Sequence, residues 1–142
     1  MRLLDTNVLS EFMRQLPAPQ VVAWLDAQPT SALFTSAISR AEIELGLALM
    51  PAGKRQLALA QSARAMFDTE FADMCLPFDE AAAVRYAQVV AVRSRAGRPI
   101  SVEDAQIAAI ALNHKLELAT RNVADVMDID GLAVVDPWKT GH

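Results

Sequence analysis

The sequence predicts an α/β domain in which a short parallel sheet is flanked by helices. Three observations carry that prediction. Short apolar runs of strand length alternate with longer stretches of helical periodicity, the pattern of a parallel sheet joined by crossover helices. Several of these runs end in an acidic or hydroxyl residue that opens the next helix. Finally, 142 residues, 53% hydrophobic and 21% charged, suit a single domain spanning 1–142. A chain of that size buries about two-thirds of its unfolded surface.

The elements follow in order. Arg2-Leu3-Leu4 begins a buried strand, and Asp5, Thr6 and Asn7 lead into a helix with Val8, Leu9 and Phe12 on one face. That helix ends before Pro17 and Pro19. Residues 20–28 form a short second helix, and Pro29-Thr30-Ser31 a turn. Residues 32–35 read as a strand. Residues 36–50 read as a helix whose inner face is Ile38, Ala41, Leu45, Ala48 and Leu49. Pro51-Ala52-Gly53 breaks it, and 54–71 is an alanine-rich helix of high propensity. A strand at 73–78 precedes a helix from Asp79-Glu80 to about Arg95. After the turn 96–99, residues 101–115 form a helix with Ile107, Ala108, Ala111 and Leu112 as its buried stripe. A strand at 116–120, a short acidic turn or helix, a last strand at 132–135 and a tail beginning Pro137-Trp138 complete the chain.

Composition excludes several classes. Thirteen basic and seventeen acidic residues give a net charge of −4, against a non-specific nucleic-acid coat. No apolar run approaches the roughly 20 residues that span a bilayer, and the first apolar run is too short for a signal peptide. A single cysteine, Cys75, rules out an internal disulfide and is expected in the core. A reducing cytoplasm fits these features. Of two histidines, His142 is terminal and His114 sits near a helix C-terminus, where it suits the dipole. That scarcity argues against Ser-His-Asp or Cys-His chemistry. The five glycines match neither a dinucleotide-binding fingerprint nor a phosphate loop.

The acidic residues are more informative. Asp5 sits where a strand gives way to a helix, and the layout recurs at Ser36–Glu42, Ser101–Asp104 and Thr120–Asp125. Each segment alone also reads as helix capping; Ser39-x-x-Glu42 matches a capping box and Ser101-x-x-Asp104 is a close variant. In a parallel sheet, however, strand ends share one rim, where ligands bind. Carboxylates crowded there raise one another's pKa, a conflict that a divalent cation relieves. Oxygen donors without thiolate or imidazole favour Mg²⁺ or Mn²⁺ over zinc. Such a cluster suits phosphodiester hydrolysis.

At this point the chain resembles a family. The segments LLDTNVLSEF (3–12), SAISRAEIELG (36–46), ISVEDAQIAAIAL (100–112) and ATRNVADV (119–126), in this order and spacing, resemble a PIN domain. VVDPW (134–138) and LPFDEAAAVRYAQV (76–89) narrow the resemblance to the FitB/VapC-like toxins of type II toxin–antitoxin modules. The resemblance implies a three-layer fold and a Mg²⁺-dependent endoribonuclease. It makes Asp5 and Asp104 the principal metal ligands, with Glu42 at the second acidic position and also on the metal. The fourth position falls on Asn122, with the acidic Asp125 close by as the alternative. Thr6 and Asn7 would position Asp5, and Thr120 would support it from behind. The implied partners are an RNA substrate, a DNA-binding antitoxin of ribbon-helix-helix or similar type, and a second copy of the chain in a homodimer; no membrane is implied. Arg40, Arg121 and the Arg93/Arg95/Arg98 group are the basic residues that could hold RNA, the last group being equally readable as a solvated helix end. Glu44 is read as solvated.

Two other readings compete. One is a receiver-like domain accepting phosphate on Asp5; it would need an acidic pair on an earlier strand, and Asp5 already follows the first. The other is a PIN-like scaffold that binds without cutting, which Asn122 in place of an acid allows.

Overall fold

The computed structural model describes residues 1–140; Gly141 and the terminal His142 lie outside the described residues. Five strands form one parallel sheet: β1 (Arg2–Leu4), β2 (Leu33–Ser36), β3 (Cys75–Leu76), β4 (Glu117–Ala119) and β5 (Val134–Val135). Their order is β3-β2-β1-β4-β5, with Leu3 opposite both Phe34 and Leu118. The chain lays down β1 first, builds outward on one side through β2 and β3, and then returns to the other side with β4 and β5. The reversal falls between β1 and β4, the kind of crevice where open parallel sheets bind ligands.

The helices are α1 (Thr6–Met13), α2 (Pro19–Asp26), α3 (Ala37–Leu49), α4 (Lys54–Ala65), α5 (Glu80–Arg95), α6 (Val102–His114), α7 (Val123–Val126) and α8 (Pro137–Thr140). A wide turn at Met66–Glu70 extends α4. Successive strand residues point to opposite faces, and β1 shows the consequence. Leu4 joins a core with Val8, Leu9, Trp24, Leu33, Ile43, Leu47 and Phe67, while Leu3 joins a second core with Val89, Ala105, Ile107, Ala108, Ile110 and Leu118. Helices α1 to α4 cover one face and α5 with α6 the other, the expected three layers. No described helix is long and apolar enough to cross a membrane.

Helix α6 buries Ala105, Ile107, Ala108, Ala109, Ile110 and Ala111, so it is covered on more than one face, and its four buried alanines let it lie close to its neighbours. It ends on Lys115 in a left-handed conformation, φ 56°, with Leu116 N–H closing the turn on Ala111 C=O. Glycine is the usual residue there.

Three expectations about packing are corrected. The inner face of α3 is Ser39, Ile43 and Leu47; Ala41, Leu45, Ala48 and Leu49 are exposed, Leu49 at 76%. The helix carries apolar residues on two faces, so periodicity alone could not select the inner one. Cys75 is exposed, because the strand expected over 73–78 shrinks to two residues on the sheet edge. Phe12 is more than a third exposed, and the neighbour that goes inside is the charged Glu11.

Candidate active site

Asp5 is the first residue past β1, and its N–H still bonds the carbonyl of Ala119 on β4. Its side chain is buried and satisfied on both oxygens. Oδ1 accepts the N–H of Thr6 at 2.8 Å, and Oδ2 accepts the Thr120 hydroxyl at 2.7 Å and the Asn7 amide at 3.4 Å. Capping and site-building are therefore the same arrangement, since Asp5 is also the N-cap of α1.

Thr120 is fully buried beneath Asp5. Its hydroxyl donates to Asp5 and accepts from the Asn7 amide at 3.2 Å and from the N–H of Asn122 at 3.1 Å. The Asn7 carbonyl oxygen accepts the N–H of Arg121 at 3.1 Å. One hydroxyl and one amide thus fasten the end of β1 to the loop after β4.

Thr6 reaches to the other side. Its hydroxyl donates to Glu42 Oε1 at 2.7 Å and shares a hydrogen bond with Ser39 Oγ at 2.8 Å. The capping box expected at Ser39-x-x-Glu42 is thereby replaced. Ser36 is the actual cap of α3, accepting the N–H of Ser39, which frees Ser39 and Glu42 to face α1. The variant at the start of α6 holds as a cap: Ser101 Oγ accepts the N–H of Asp104. Asp104 is half-buried.

These side chains line one crevice of about 450 Å³, walled by Asp5, Thr6, Asn7, Ser10, Glu11, Arg14, Glu42, Asp104, Arg121, Asn122 and Trp138. Its charge is frustrated. Burial pushes the Asp5 carboxyl above the ordinary carboxylate range; bonds from Thr120 and Thr6 oppose this, and the charges of Asp104 and Glu42 add to it. Asp104 is likewise raised, chiefly by burial, with the Ser101 bond opposing and Asp125 and Glu103 adding; Arg93 draws it back.

Among the described residues no three His, Cys, Asp or Glu side chains close into a finished cation cage. The fit with a hard divalent ion rests instead on two raised carboxylates, Asp5 and Asp104, in an all-oxygen setting. Mg²⁺ keeps several waters and commonly takes only one or two protein carboxylates. Glu42 has one oxygen on Thr6.

The remaining sequence expectations divide. Asn122 lies on the crevice and makes no side-chain cap bond to α7, although it occupies the cap position. Asp125 is not on the crevice wall; its charge acts on Asp104. Arg121 is on the wall. Arg40 is not: it pairs with Asp68 at 3.3 Å and Glu44 at 3.8 Å and lies over the Phe67 ring. Glu44 is accordingly exposed but paired. The arginine group at the end of α5 divides: Arg95 is exposed, while Arg93 and Arg98 make structural bonds. Arg93 is buried, donating Nε to the carbonyl of Arg98, while Arg98 pairs with Asp128 at 2.9 Å. Neither RNA contact nor a simple solvated end describes Arg93.

Sequence reasoning passed over Glu11 and Trp138. Buried Glu11 accepts the N–H of Ala18 at 2.8 Å and pairs with Arg14, tying the end of α1 to the start of α2. The available signal was a charged residue interrupting the apolar face of α1.

The PIN domain family matches residues 2–124. The chain is 41% identical to toxin FitB of Neisseria gonorrhoeae over 138 residues, covering 97% of this chain and 99% of that one. It is 39% identical to VapC ribonuclease Y4jK of Sinorhizobium fredii over 139 residues, 98% and 99% of the two chains. Among solved structures, FitAB bound to the IR36 DNA fragment superposes with a TM-score of 0.90 at 40% identity, covering 100% of this chain and 99% of that chain.

Proposed function

Because the chain belongs to the PIN-domain family, in its FitB/VapC toxin branch, we propose that it is a metal-dependent endoribonuclease, the toxin of a toxin–antitoxin pair. The observation that carries this is the convergence of Asp5, Glu42, Asp104 and Asn122 on one crevice at the sheet's reversal point. Relatives named a toxin and a ribonuclease support it, as does likeness to a toxin–antitoxin complex on DNA.

Asp5 and Asp104, with Glu42 beside them, are the residues that would hold Mg²⁺, or Mn²⁺ in its place. Bound there, the ion would activate water and offset negative charge on the phosphodiester. In the reaction a water oxygen bonds to phosphorus and one P–O ester bond breaks, leaving a phosphate monoester and a free hydroxyl. The chain's own residues set the stage. Thr6 N–H and the Thr120 hydroxyl fix the plane of the Asp5 carboxylate. The Thr6 hydroxyl anchors Glu42 by Oε1, which leaves Oε2 free of that bond for the ion. Asn122 adds an amide oxygen and no charge. Arg121 supplies a cation on the wall, where RNA phosphates approach an acidic crevice.

A DNA-binding antitoxin is the proposed protein partner. A homodimer is proposed as the working form, supported by the exposed Leu45 and Leu49 of α3, one turn apart.

The test is cleavage of RNA by the purified protein as Mg²⁺ is titrated, against EDTA, with Asp5→Ala and Asp104→Ala beside it. Cleavage should require the ion and fall at least a hundredfold in either variant. Undiminished cutting in EDTA, or in a variant that has lost Asp5, would sink the reading.

A further inference from the structure

We propose that Trp138 and Arg121 form a stacking platform for one unpaired nucleobase of the RNA at the wall of the carboxylate crevice. The proposal rests on the ribonuclease reading above and adds to it the two residues that recognise a base.

Four observations support it. Trp138 is the one aromatic side chain on the crevice wall, and it is only partly covered. It is firmly seated: the side chain packs against the core beneath α1 and α2, and the Trp138 backbone N–H donates to the buried Asp136 carboxylate at 2.9 Å. The Arg121 guanidinium lies 4.9 Å from the centre of its ring. Arg121 has no carboxylate partner among the described residues, whereas the other cation on this wall, Arg14, is held by Glu11.

The placement is fixed relative to the reacting centre. The Arg121 backbone N–H donates to Asn7 Oδ1, and the Asn7 side-chain amide in turn donates to Asp5 and Thr120. Those bonds hold the Arg121 backbone beside Asp5, and the Trp138 ring beneath the guanidinium places the head of the side chain on the crevice wall. The chemistry matches a base better than a phosphate alone. A planar guanidinium over an indole is a polarised layer on which bases stack, and its N–H groups reach neighbouring phosphates. A base within a duplex has both faces occupied and cannot use such a layer; an unpaired one can. A lone phosphate site would not need the indole.

The test uses the full chain carrying Asp104→Asn, in which cutting is expected to be lost, and a short single-stranded oligoribonucleotide or the same sequence in a duplex. Of the two tryptophans, Trp24 is in the core and Trp138 is on the crevice. The single strand should quench tryptophan emission and the duplex should not. Trp138→Phe should abolish the quench while keeping affinity, read by anisotropy of labelled RNA, within about threefold. Trp138→Leu should weaken affinity roughly tenfold to a hundredfold, the loss expected for one base–aromatic stack. Arg121→Gln, which leaves the core intact, should weaken it by at least threefold and flatten its salt dependence. Circular dichroism and melting of each variant confirm that the folded chain is being measured. Unchanged affinity in folded Trp138→Leu, or equal quenching by the duplex, overturns the platform. Loss of antitoxin binding with RNA binding intact also overturns it and assigns the face to protein. If the wild type binds the single strand with the quench but never cuts RNA, the platform stands and the nuclease reading fails.

Discussion

Replacing Thr120 with valine keeps the shape of a fully buried side chain and removes its oxygen. That oxygen joins three groups: the Asp5 carboxylate at 2.7 Å, the Asn7 amide at 3.2 Å and the Asn122 N–H at 3.1 Å. A hydrogen bond to a charged partner is worth about 1.5–3 kcal/mol and a neutral one about 1 kcal/mol. Asp5 keeps Thr6 N–H and Asn7, and the other two donors sit near solvent, so the sum is reduced to about 2–4 kcal/mol. For a domain of this size that lowers Tm by roughly 8–16 °C at pH 7. The loss should also depend on pH. Burial holds Asp5 above the ordinary carboxylate range in the folded protein, so ionising it costs stability. That cost is absent where Asp5 is protonated in both states and grows as pH rises through the ordinary value toward the raised one. Without the Thr120 hydroxyl the folded value rises further, so the Tm gap between variant and wild type should widen from pH 4 to pH 7. Thr120→Ser keeps the oxygen and should recover most of the loss. Thermal melts of the metal-free proteins decide it. A gap that is the same at every pH, or a serine variant as damaged as the valine one, would refute the claim that the hydroxyl acts through the Asp5 charge.

Other outcomes are expected. Asp104→Asn should abolish cutting yet raise the Tm of metal-free protein at pH 7, because the raised carboxyl costs stability once ionised; the gain should vanish as pH falls below the ordinary carboxylate value. Asn122→Asp should tighten Mg²⁺ or Mn²⁺ binding by calorimetry, whereas Asp125→Asn should change it little; the reverse result would make Asp125 the fourth position. Lys115→Gly relieves a left-handed lysine at the end of α6 and should stabilise by roughly 0.5–1 kcal/mol in denaturant melts. Leu45→Glu with Leu49→Glu should shift the chain to a monomer in analytical ultracentrifugation while its circular dichroism is unchanged.

The crevice was more legible in the sequence than the packing around it. Asp5, Asp104 and Thr120 could be placed because each lies at the junction between a strand or turn and a helix, and such junctions in a parallel sheet share a rim. The two faces of α3 could not be ranked, since Leu45 and Leu49 are as apolar as Ile43 and Leu47; only the sheet decides which pair it covers. The sequence leaves Ser39 readable either as a cap or as a site residue because Ser36, three residues earlier, fits the capping role too, and which serine caps depends on where β2 stops. Arg93 was invisible as a buried residue. Its burial depends on carbonyls offered by Arg98 and Met127, and the second of these is 34 residues away.

The bond between Thr120 and Asp5 spans 115 residues, and the one between Thr6 and Glu42 spans 36. The central strand thus precedes both of its flanking partners in the chain, which come at residues 33–36 and 117–119. Until the second arrives, Leu3 and Leu4 have only one neighbour, Asp5 has no Thr120, and the crevice has one wall. Pairings so far apart close late and slowly. A nascent or truncated chain lacking β4 is therefore a chain without a site.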